Sequence, residues 1–246
     1  MKVLTKRKLR MLKESSVRVT AFTFLLLMLN ACLSNVDNDV IPMSYISIVE
    51  NNQPSDGFDF PVEPGEMTGW EEPPNPSVTY HEGSFLVHRE DGIHPAIDFF
   101  REDGTSAEGY EIRAIGDGVV VDIVYDRETY PDKHDGSNRD QGWGNLILIQ
   151  HDYIDDGINK KVFALYAHCK TIEVDMNEVV KRSQRIGLVG KTDGLPDLET
   201  WPDHLHFEIR KTNIISNAWP SDSGLFTDAD VLEHWIHPLD FIRSNR

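Results

Sequence analysis

Three observations predict an all-β domain. The chain has 246 residues, of which 39% are hydrophobic, and this is enough for one sizeable core. Short runs rich in β-branched and aromatic residues recur from Val78 onward, with Gly, Pro and Asp residues between them. Only residues 228–242, DADVLEHWIHPLDFI, have the apolar spacing of an amphipathic helix. We therefore predict short strands, one short C-terminal helix and one domain with an N-terminal extension.

The predicted strands follow one another closely along the chain. In order they are SFLVHR, IHPAIDFF, YEIRAIGDGVVVDIVY, GNLILIQHD, KVFALYAHC, IGLVGK and HLHFEIR. Their spacing and the turn residues between them are typical of an all-β domain.

The last predicted strand carries its polar side chains on one face. Side chains alternate along a strand, so its apolar residues share the other face. The polar residues are His204, His206, Glu208 and Arg210. One explanation is a solvated or salt-bridged face. The other is a metal site, because imidazole is the commonest metal ligand.

Residues 1–31 are predicted to be a lipoprotein signal peptide. A basic leader precedes the apolar run VTAFTFLLLML, which is shorter than the roughly 20 residues that span a bilayer. The run leads into LNAC, where Ala31 precedes Cys32, and this resembles the lipobox of bacterial lipoproteins. A lipidated Cys32 would anchor the protein to a membrane. A plain signal peptide and a chance cysteine are the alternatives.

The residue after the cysteine bears on location. Leu33, rather than Asp, resembles the pattern of outer-membrane sorting. We expect an exported, membrane-anchored lipoprotein, on the outer membrane or periplasmic face if the host has two membranes.

Residues 32–76 are predicted to be an acidic tether and surface wrap. This segment is broken by Pro, Gly and Asn and has little periodicity. Its Phe58, Phe60 and Trp70 are candidates for docking on the folded domain, which we place at residues 77–246.

Charge and cysteine content limit the partners. The formal net charge is −17, which argues against nucleic acid, because phosphate binding needs a basic patch. The two cysteines are Cys32 and Cys169, and a lipidated Cys32 cannot pair. We therefore expect no disulfide framework.

His94 and Asp98 are the first candidate metal ligands. They are four residues apart, so they point the same way on an extended segment. One histidine from a neighbouring strand would complete a site with two histidines, one carboxylate and an open position, which suits a catalytic zinc. From these residues alone, a turn carboxylate beside a surface histidine is the alternative.

Signatures of other hydrolases are missing from the sequence. HEGSF begins like the H-E-x-x-H zinc motif, but Phe85 stands in place of the second histidine. No G-x-S-x-G motif is present to supply a serine nucleophile.

The ordered motifs together resemble the M23 metallopeptidases, the lysostaphin and LytM-like peptidoglycan endopeptidases. They are HPAIDFF, YEIRAIGDGVVV, GWGNLILIQHD, LYAHC, NEVVKRSQRIGLVGKTDG, DHLHFEIR and HPLDFI, and they lie between His88 and Ile242. The resemblance implies antiparallel sheets that form an open cleft, of the duplicated hybrid motif type.

The resemblance also implies a role for each matching side chain. His94, Asp98 and His206 would hold a zinc ion, while His168 and His204 would face it as catalytic imidazoles. The implied activity is a zinc metalloendopeptidase that hydrolyses peptide crosslinks of bacterial peptidoglycan, whose peptide stems would be the partner.

Two other functions are open from the sequence. One is a catalytically silent M23-like lipoprotein that binds and activates a cell-wall amidase, and the other is a lipoprotein that only anchors to the wall. Such silent relatives typically lose ligands, whereas all five positions are filled here. Which crosslink is cleaved and the oligomeric state cannot be read from the chain.

The chain departs from the family pattern at a few places. Ala96 stands where Gly is usual between the ligands, and residues 99–108 and 125–141 lengthen two loops that we expect to rim the cleft and influence substrate choice. Cys169, where Leu is common, is interpreted as a buried small hydrophobic residue; a metal ligand or redox switch is the alternative. The remaining histidines, His81, His88, His134, His151, His234 and His237, match no motif and are taken as structural or surface residues.

Overall fold

The fold was analysed in a computed structural model of the chain. The structure describes residues 53–62, 65, 68–70, 83–89, 92–137, 139, 142–191, 203–213, 224–225 and 227–246. The predicted signal peptide, Cys32 and His81 lie outside these ranges.

Antiparallel strands dominate the described residues, which confirms the all-β prediction. The strands are β1 (His88–Arg89), β2 (Gly92–Ile93), β3 (Ile97–Phe99), β4 (Glu111–Arg113), β5 (Gly118–Val124), β6 (Asn145–Asp155), β7 (Ile158–Ile172), β8 (Val179–Val180), β9 (Arg185–Val189), β10 (Leu205–Arg210) and β11 (Trp235–Ile236). The two helices are α1 (Asp228–His234) and α2 (Pro238–Ser244).

One large sheet carries most of the strands, in the order β11-β10-β7-β6-β5-β8. β3 joins this sheet on β10, while β9 pairs with both β7 and β4. The long β6–β7 hairpin turns at Asp156 and Gly157, whose φ angles are 51° and 75°. Such left-handed pairs match the twist of two-residue hairpins.

β10 is a central strand, and its position explains its burial. β7 pairs with it along His206 to Arg210, while β3 pairs with its first half and β11 with its last two residues. All six residues of β10 are buried. The far end of the polar face is therefore not solvated. Its interpretation as a salt-bridged strand end is correct, because an ion pair joins Glu208 to Arg210.

The segment before residue 77 contributes to the core. Phe58, Phe60 and Trp70 are at most 4% exposed, and they belong to the same cluster of buried residues as Phe99 and Phe241. The aromatic residues that the sequence offered for docking thus pack against the sheet, and this part of the chain is needed for a complete core.

The C-terminal helical prediction is half correct. Two helices form instead of one, because Trp235 and Ile236 pair with β10 as β11. Pro238 then begins α2, where its fixed φ and missing N–H are tolerated. Within the described ranges, no helix has the length and apolar character needed to cross a membrane.

Candidate metal centre

Three predicted ligands converge inside the sheet. One ligand atom from each of His94, Asp98 and His206 lies within 4.8 Å of the other two. The residues are 0%, 1% and 2% exposed. Because buried charged or polar groups need partners, this degree of burial indicates that the three side chains form a specific buried site and not a cluster of surface residues.

Strand pairing brings these side chains together. Residues His206 and Asp98 are directly opposite each other in the β10–β3 register. His94 lies just before β3, four residues from Asp98, so its ring reaches the same point. Nε2 of His94 lies 3.2 Å from Nδ1 of His206 and 3.2 Å from Oδ1 of Asp98. Oδ1 of Asp98 lies 3.0 Å from Nδ1 of His206.

Each of the three side chains is also held from outside. Nδ1 of His94 lies 3.0 Å from the Ser84 carbonyl oxygen, and Nε2 of His206 lies 3.1 Å from Oε1 of Glu208. The Arg89 guanidinium donates to Oδ2 of Asp98 at 3.1 Å. Metal ligands in proteins are characteristically oriented by such outer partners. The donor set therefore fits a metal ion bound between Nε2 of His94, Oδ1 of Asp98 and Nδ1 of His206.

The electrostatics of the group favour a bound cation. Burial would raise the pKa of Asp98, but the imidazoles of His94 and His204 hold it well below its usual value. Burial lowers the pKa of His94. Burial also acts to lower the pKa of His206, yet its hydrogen bonds to Asp98 and Glu208 raise it. The two carboxylates thus stabilise positive charge at this buried point.

His168 and His204 lie on one side of the ligand group. Their ring centroids are 4.7 Å apart, and the His168 ring lies 5.8 Å from that of His206. Nε2 of His204 lies 3.9 Å from Oδ2 of Asp98. The His204 side chain is 14% exposed, whereas the ligand side chains are nearly inaccessible. Both imidazoles are thus more exposed than the ligand group beside them, since His168 is 8% exposed.

The backbone of His168 has an unusual conformation. Its φ is 58°, a left-handed value that costs an L-residue about 1–2 kcal/mol. Two backbone hydrogen bonds hold it there: its N–H donates to the Trp143 carbonyl oxygen, and its own carbonyl accepts from the Gly190 N–H. Strain of this kind is concentrated at functional sites in proteins.

The sequence did not single out several residues that complete the site. The Trp143 ring lies 4.5 Å from that of His206, and Phe100 lies 4.8 Å from His204. Ser84 and Arg89 hold two ligands, as described above. Trp143 lies in the GWGN motif, which was the one available signal; Ser84 and Arg89 carry no pattern that alternation or spacing would reveal.

One of the two lengthened loops contacts the segment that carries His204. In residues 99–108, Ser106 hydrogen-bonds to Asp203, the residue before His204. In the described part of the other loop, residues 125–141, Lys133 lies 4.9 Å over the Tyr125 ring. The influence of both loops on substrate choice stays a prediction.

The other reactive side chains have structural surroundings. Cys169 is fully buried, and burial raises the pKa of its thiol. Among the described residues, the metal-binding group includes neither Cys169 nor any of the unassigned histidines. His237 caps α2 by accepting from the Asp240 N–H, and His151 is buried beneath Phe58. Their interpretation as structural residues fits these surroundings.

The fold and the site together define a β-rich protein with a buried histidine and aspartate group suited to a metal ion. A comparison with protein families agrees with this class, because the model of peptidase family M23 matches residues 92–218. The chain belongs to peptidase family M23, a family of metallopeptidases.

Two curated relatives match about half of the chain. An uncharacterized metalloprotease of Buchnera aphidicola subsp. Baizongia pistaciae is 30% identical over 123 residues, which is 50% of this chain and 24% of the relative. The uncharacterized lipoprotein YgeR of Escherichia coli K12 is 33% identical over 122 residues, 49% of this chain and 36% of the relative. The chain thus spans well under half the length of either relative.

Solved structures of similar proteins include two peptidases. The catalytic domain of lysostaphin from Staphylococcus simulans is 22% identical, with a TM-score of 0.39, and covers 65% of this chain and 87% of that chain. A zinc-containing peptidase from Vibrio cholerae is 23% identical, with a TM-score of 0.40, and covers 63% of this chain and 37% of that chain.

Proposed function

We propose that the protein is a zinc metalloendopeptidase that hydrolyses peptide crosslinks of bacterial peptidoglycan. The observation that carries this proposal is the buried ligand group with two imidazoles on its more exposed side. Membership of peptidase family M23 supports the reaction class. The two histidines and one carboxylate support zinc as the metal.

His94, Asp98 and His206 would hold the metal through the atoms that converge. Bound zinc would lower the pKa of a water molecule and polarise the scissile carbonyl. Asp98 brings one negative charge and the two imidazoles bring none, so the loaded site is net positive. Such a site favours the negative charge that develops on the substrate oxygen.

His168 and His204 would carry the protons. Among the described residues, the metal-binding group includes no glutamate, and Glu208 is fully buried on the far side of His206. The two imidazoles, with ring centroids 4.7 Å apart beside the ligand group, would transfer protons between the attacking water and the leaving amine. His168 is held by its backbone hydrogen bonds, so its ring needs little reorganisation during the reaction.

The carboxylates of the site support a peptide substrate over a glycan. Enzymes that cleave sugar bonds usually use two carboxylates that flank the bond. Here Asp98 is 1% exposed and faces three histidines and Arg89, while Glu208 is 0% exposed and paired with Arg210. Neither is free to serve a glycan, whereas an extended peptide needs only the metal and the imidazoles.

We also propose that a lipidated Cys32 tethers the enzyme near its substrate. The relative YgeR is called a lipoprotein, and the motif LNAC supports the same form here.

Mass spectrometry of digested peptidoglycan tests the proposed reaction. The protein should comprise residues 33–246, because Phe58, Phe60 and Trp70 belong to the core. We expect crosslinked muropeptides to fall to monomers and new free amino groups to appear, with His204→Ala as the inactive control. New reducing ends that disappear in His204→Ala would contradict the peptide-bond assignment. Zinc-free protein that stimulates an amidase would instead favour the silent alternative.

A further inference from the structure

A buried hydrogen-bond chain continues from the metal ligand along the polar face of β10. Oε1 of Glu208 lies 3.1 Å from Nε2 of His206. The other oxygen of Glu208 accepts from Nε of Arg210 at 2.5 Å and from Nε1 of Trp235 at 2.6 Å. Glu208, Arg210 and Trp235 are each at most 1% exposed.

The donors in this hydrogen-bond chain determine which ring nitrogen of His206 carries a hydrogen. Arg Nε and Trp Nε1 are donors only, so both must give a hydrogen to Oε2 of Glu208. Oε1 then acts as the acceptor for His206. A ring hydrogen of His206 is thereby placed on Nε2, and Nδ1 is the ring nitrogen that faces the other two ligands, 3.2 Å from Nε2 of His94 and 3.0 Å from Oδ1 of Asp98.

Stability alone does not explain this arrangement. A buried ion pair typically stabilises no better than apolar side chains of the same size. In addition, Nη1 and Nη2 of Arg210 have no hydrogen-bond partner among the described residues, although Arg210 lies 5.5 Å over the Trp235 ring. Burial of the Arg210 cation costs free energy of desolvation, and its ion pair is with Glu208. This cost indicates that Arg210 serves to fix the position of the Glu208 carboxylate.

We propose that Glu208 is a positioning residue for the metal centre, held in place by Arg210 and Trp235, and that it fixes the His206 ring with its Nδ1 lone pair facing the metal. This inference rests on the proposed zinc site. It assigns a second role to the strand, because alternate residues of β10, His206 and Glu208, supply a ligand and the group that orients it, while His204 lies directly before the strand.

The substitution Glu208→Gln tests the orientation directly. A glutamine has one oxygen, and both Arg210 and Trp235 donate toward the same place, so the amide oxygen should stay with them. The NH₂ group then faces Nε2 of His206 and donates to it, which moves the ring hydrogen to Nδ1. We expect zinc to bind about 10–100-fold more weakly, as for other outer-partner changes.

Two measurements on a protein of residues 33–246 detect the change in zinc affinity and in the position of the His206 ring hydrogen. Competition with a chromophoric chelator gives the zinc dissociation constant. At a pH above the raised pKa of His206, where the ring carries one hydrogen, the ¹⁵N shifts of the ring in the metal-free protein report which nitrogen carries it, and a purely structural role for Glu208 would leave them unchanged. Asp117→Asn is the matched control, because Asp117 is ion-paired with Lys181 and bonded to the Arg182 N–H, and none of these contacts the ligand group. The control should keep the zinc affinity of the wild type.

The outcomes separate this inference from the proposed function. If the wild type binds no zinc, the zinc proposal fails. If it does bind zinc, and Glu208→Gln binds it within twofold of the wild type with the same His206 hydrogen position, Glu208 has no positioning role. Should Glu208→Gln not fold, Trp235→Phe removes one donor to Oε2 but keeps the carboxylate. We expect a smaller loss of zinc affinity there, and an unchanged affinity would overturn the inference.

Discussion

His206 and His151 are both fully buried imidazoles on neighbouring parts of one sheet, and their surroundings are opposite. Two carboxylates, Asp98 and Glu208, contact the His206 ring and raise its pKa. His151 donates from Nδ1 to the Asp117 carbonyl oxygen, while its Nε2 has no hydrogen-bond partner among the described residues. Burial therefore dominates at His151 and lowers its pKa to about 4.

This contrast shows that burial alone does not create a metal site. A buried histidine without carboxylates rejects positive charge, whether the charge comes from a proton or from a metal ion. Carboxylates that are themselves held by other groups reverse this preference. The difference between the two regions is thus set by neighbours on adjacent strands and not by the histidine itself.

The largest effect that we expect is loss of the metal when a ligand is removed. His206→Ala takes away one of three converging donors and leaves only His94 and Asp98 as ligands, so high-affinity zinc binding should disappear. Elemental analysis of the purified variant checks this. Stoichiometric zinc in His206→Ala would show that the ligand group is assigned wrongly.

His204→Ala should separate chemistry from metal binding. The variant removes a proton-transfer group but no ligand, so zinc content should stay at the wild-type level while kcat falls about 10²–10⁴-fold. Turnover of a crosslinked muropeptide, measured beside zinc content, checks both parts. His168→Ala should behave in the same way. Loss of zinc in His204→Ala with retention in His206→Ala would exchange the two roles.

Phe58→Ala tests how much the aromatic packing beside His151 contributes to the free energy of unfolding. The Phe58 ring packs edge-on against His151 at 5.8 Å and against Phe241 at 4.8 Å. Removing it from a fully buried place should destabilise the protein by about 3–5 kcal/mol. Denaturant unfolding measures this loss. A change below the error of the method would mean that the segment before residue 77 does not pack as the structure shows.

His151 should make stability depend on pH between about 6.5 and 4. Its pKa is lower in the folded protein than in the unfolded chain, so in this window the unfolded chain binds more protons. The contribution is fully present above pH 6.5 and is lost as the pH falls to 4, amounting to about 3 kcal/mol. Unfolding curves across this range for wild type and His151→Leu check it, since the variant lacks the titrating group. Equal slopes in the two proteins would refute this origin.

Several parts of the site were accessible from the sequence because they follow from spacing. The interval between His94 and Asp98 places both side chains on one side of an extended segment. The H-x-H pair places His204 and His206 on one face of a strand. The family resemblance then supplied the role of each residue, and the structure brings all five side chains together.

Other parts were not accessible, because alternation specifies the two faces of a strand but not what covers them. Glu208 and Arg210 are on the polar face of β10, as alternation requires, yet both are buried, and the Trp235 side chain of β11 donates to Glu208 and lies beside Arg210. The left-handed backbone of His168 lies within β7 and has no sequence signal, because a positive φ is uncommon for a residue other than glycine and strand alternation does not predict it.

The sequence by itself determined that the chain forms β-strands and which residue types could make a metal site, because periodicity and ligand chemistry are local properties. The tertiary structure, in contrast, places His206 opposite Asp98, brings Ser84, Arg89 and Glu208 against the ligands, and packs Phe58, Phe60 and Trp70 into the core. These contacts join residues far apart in the chain. Their formation depends on strand register and packing, which no single segment encodes.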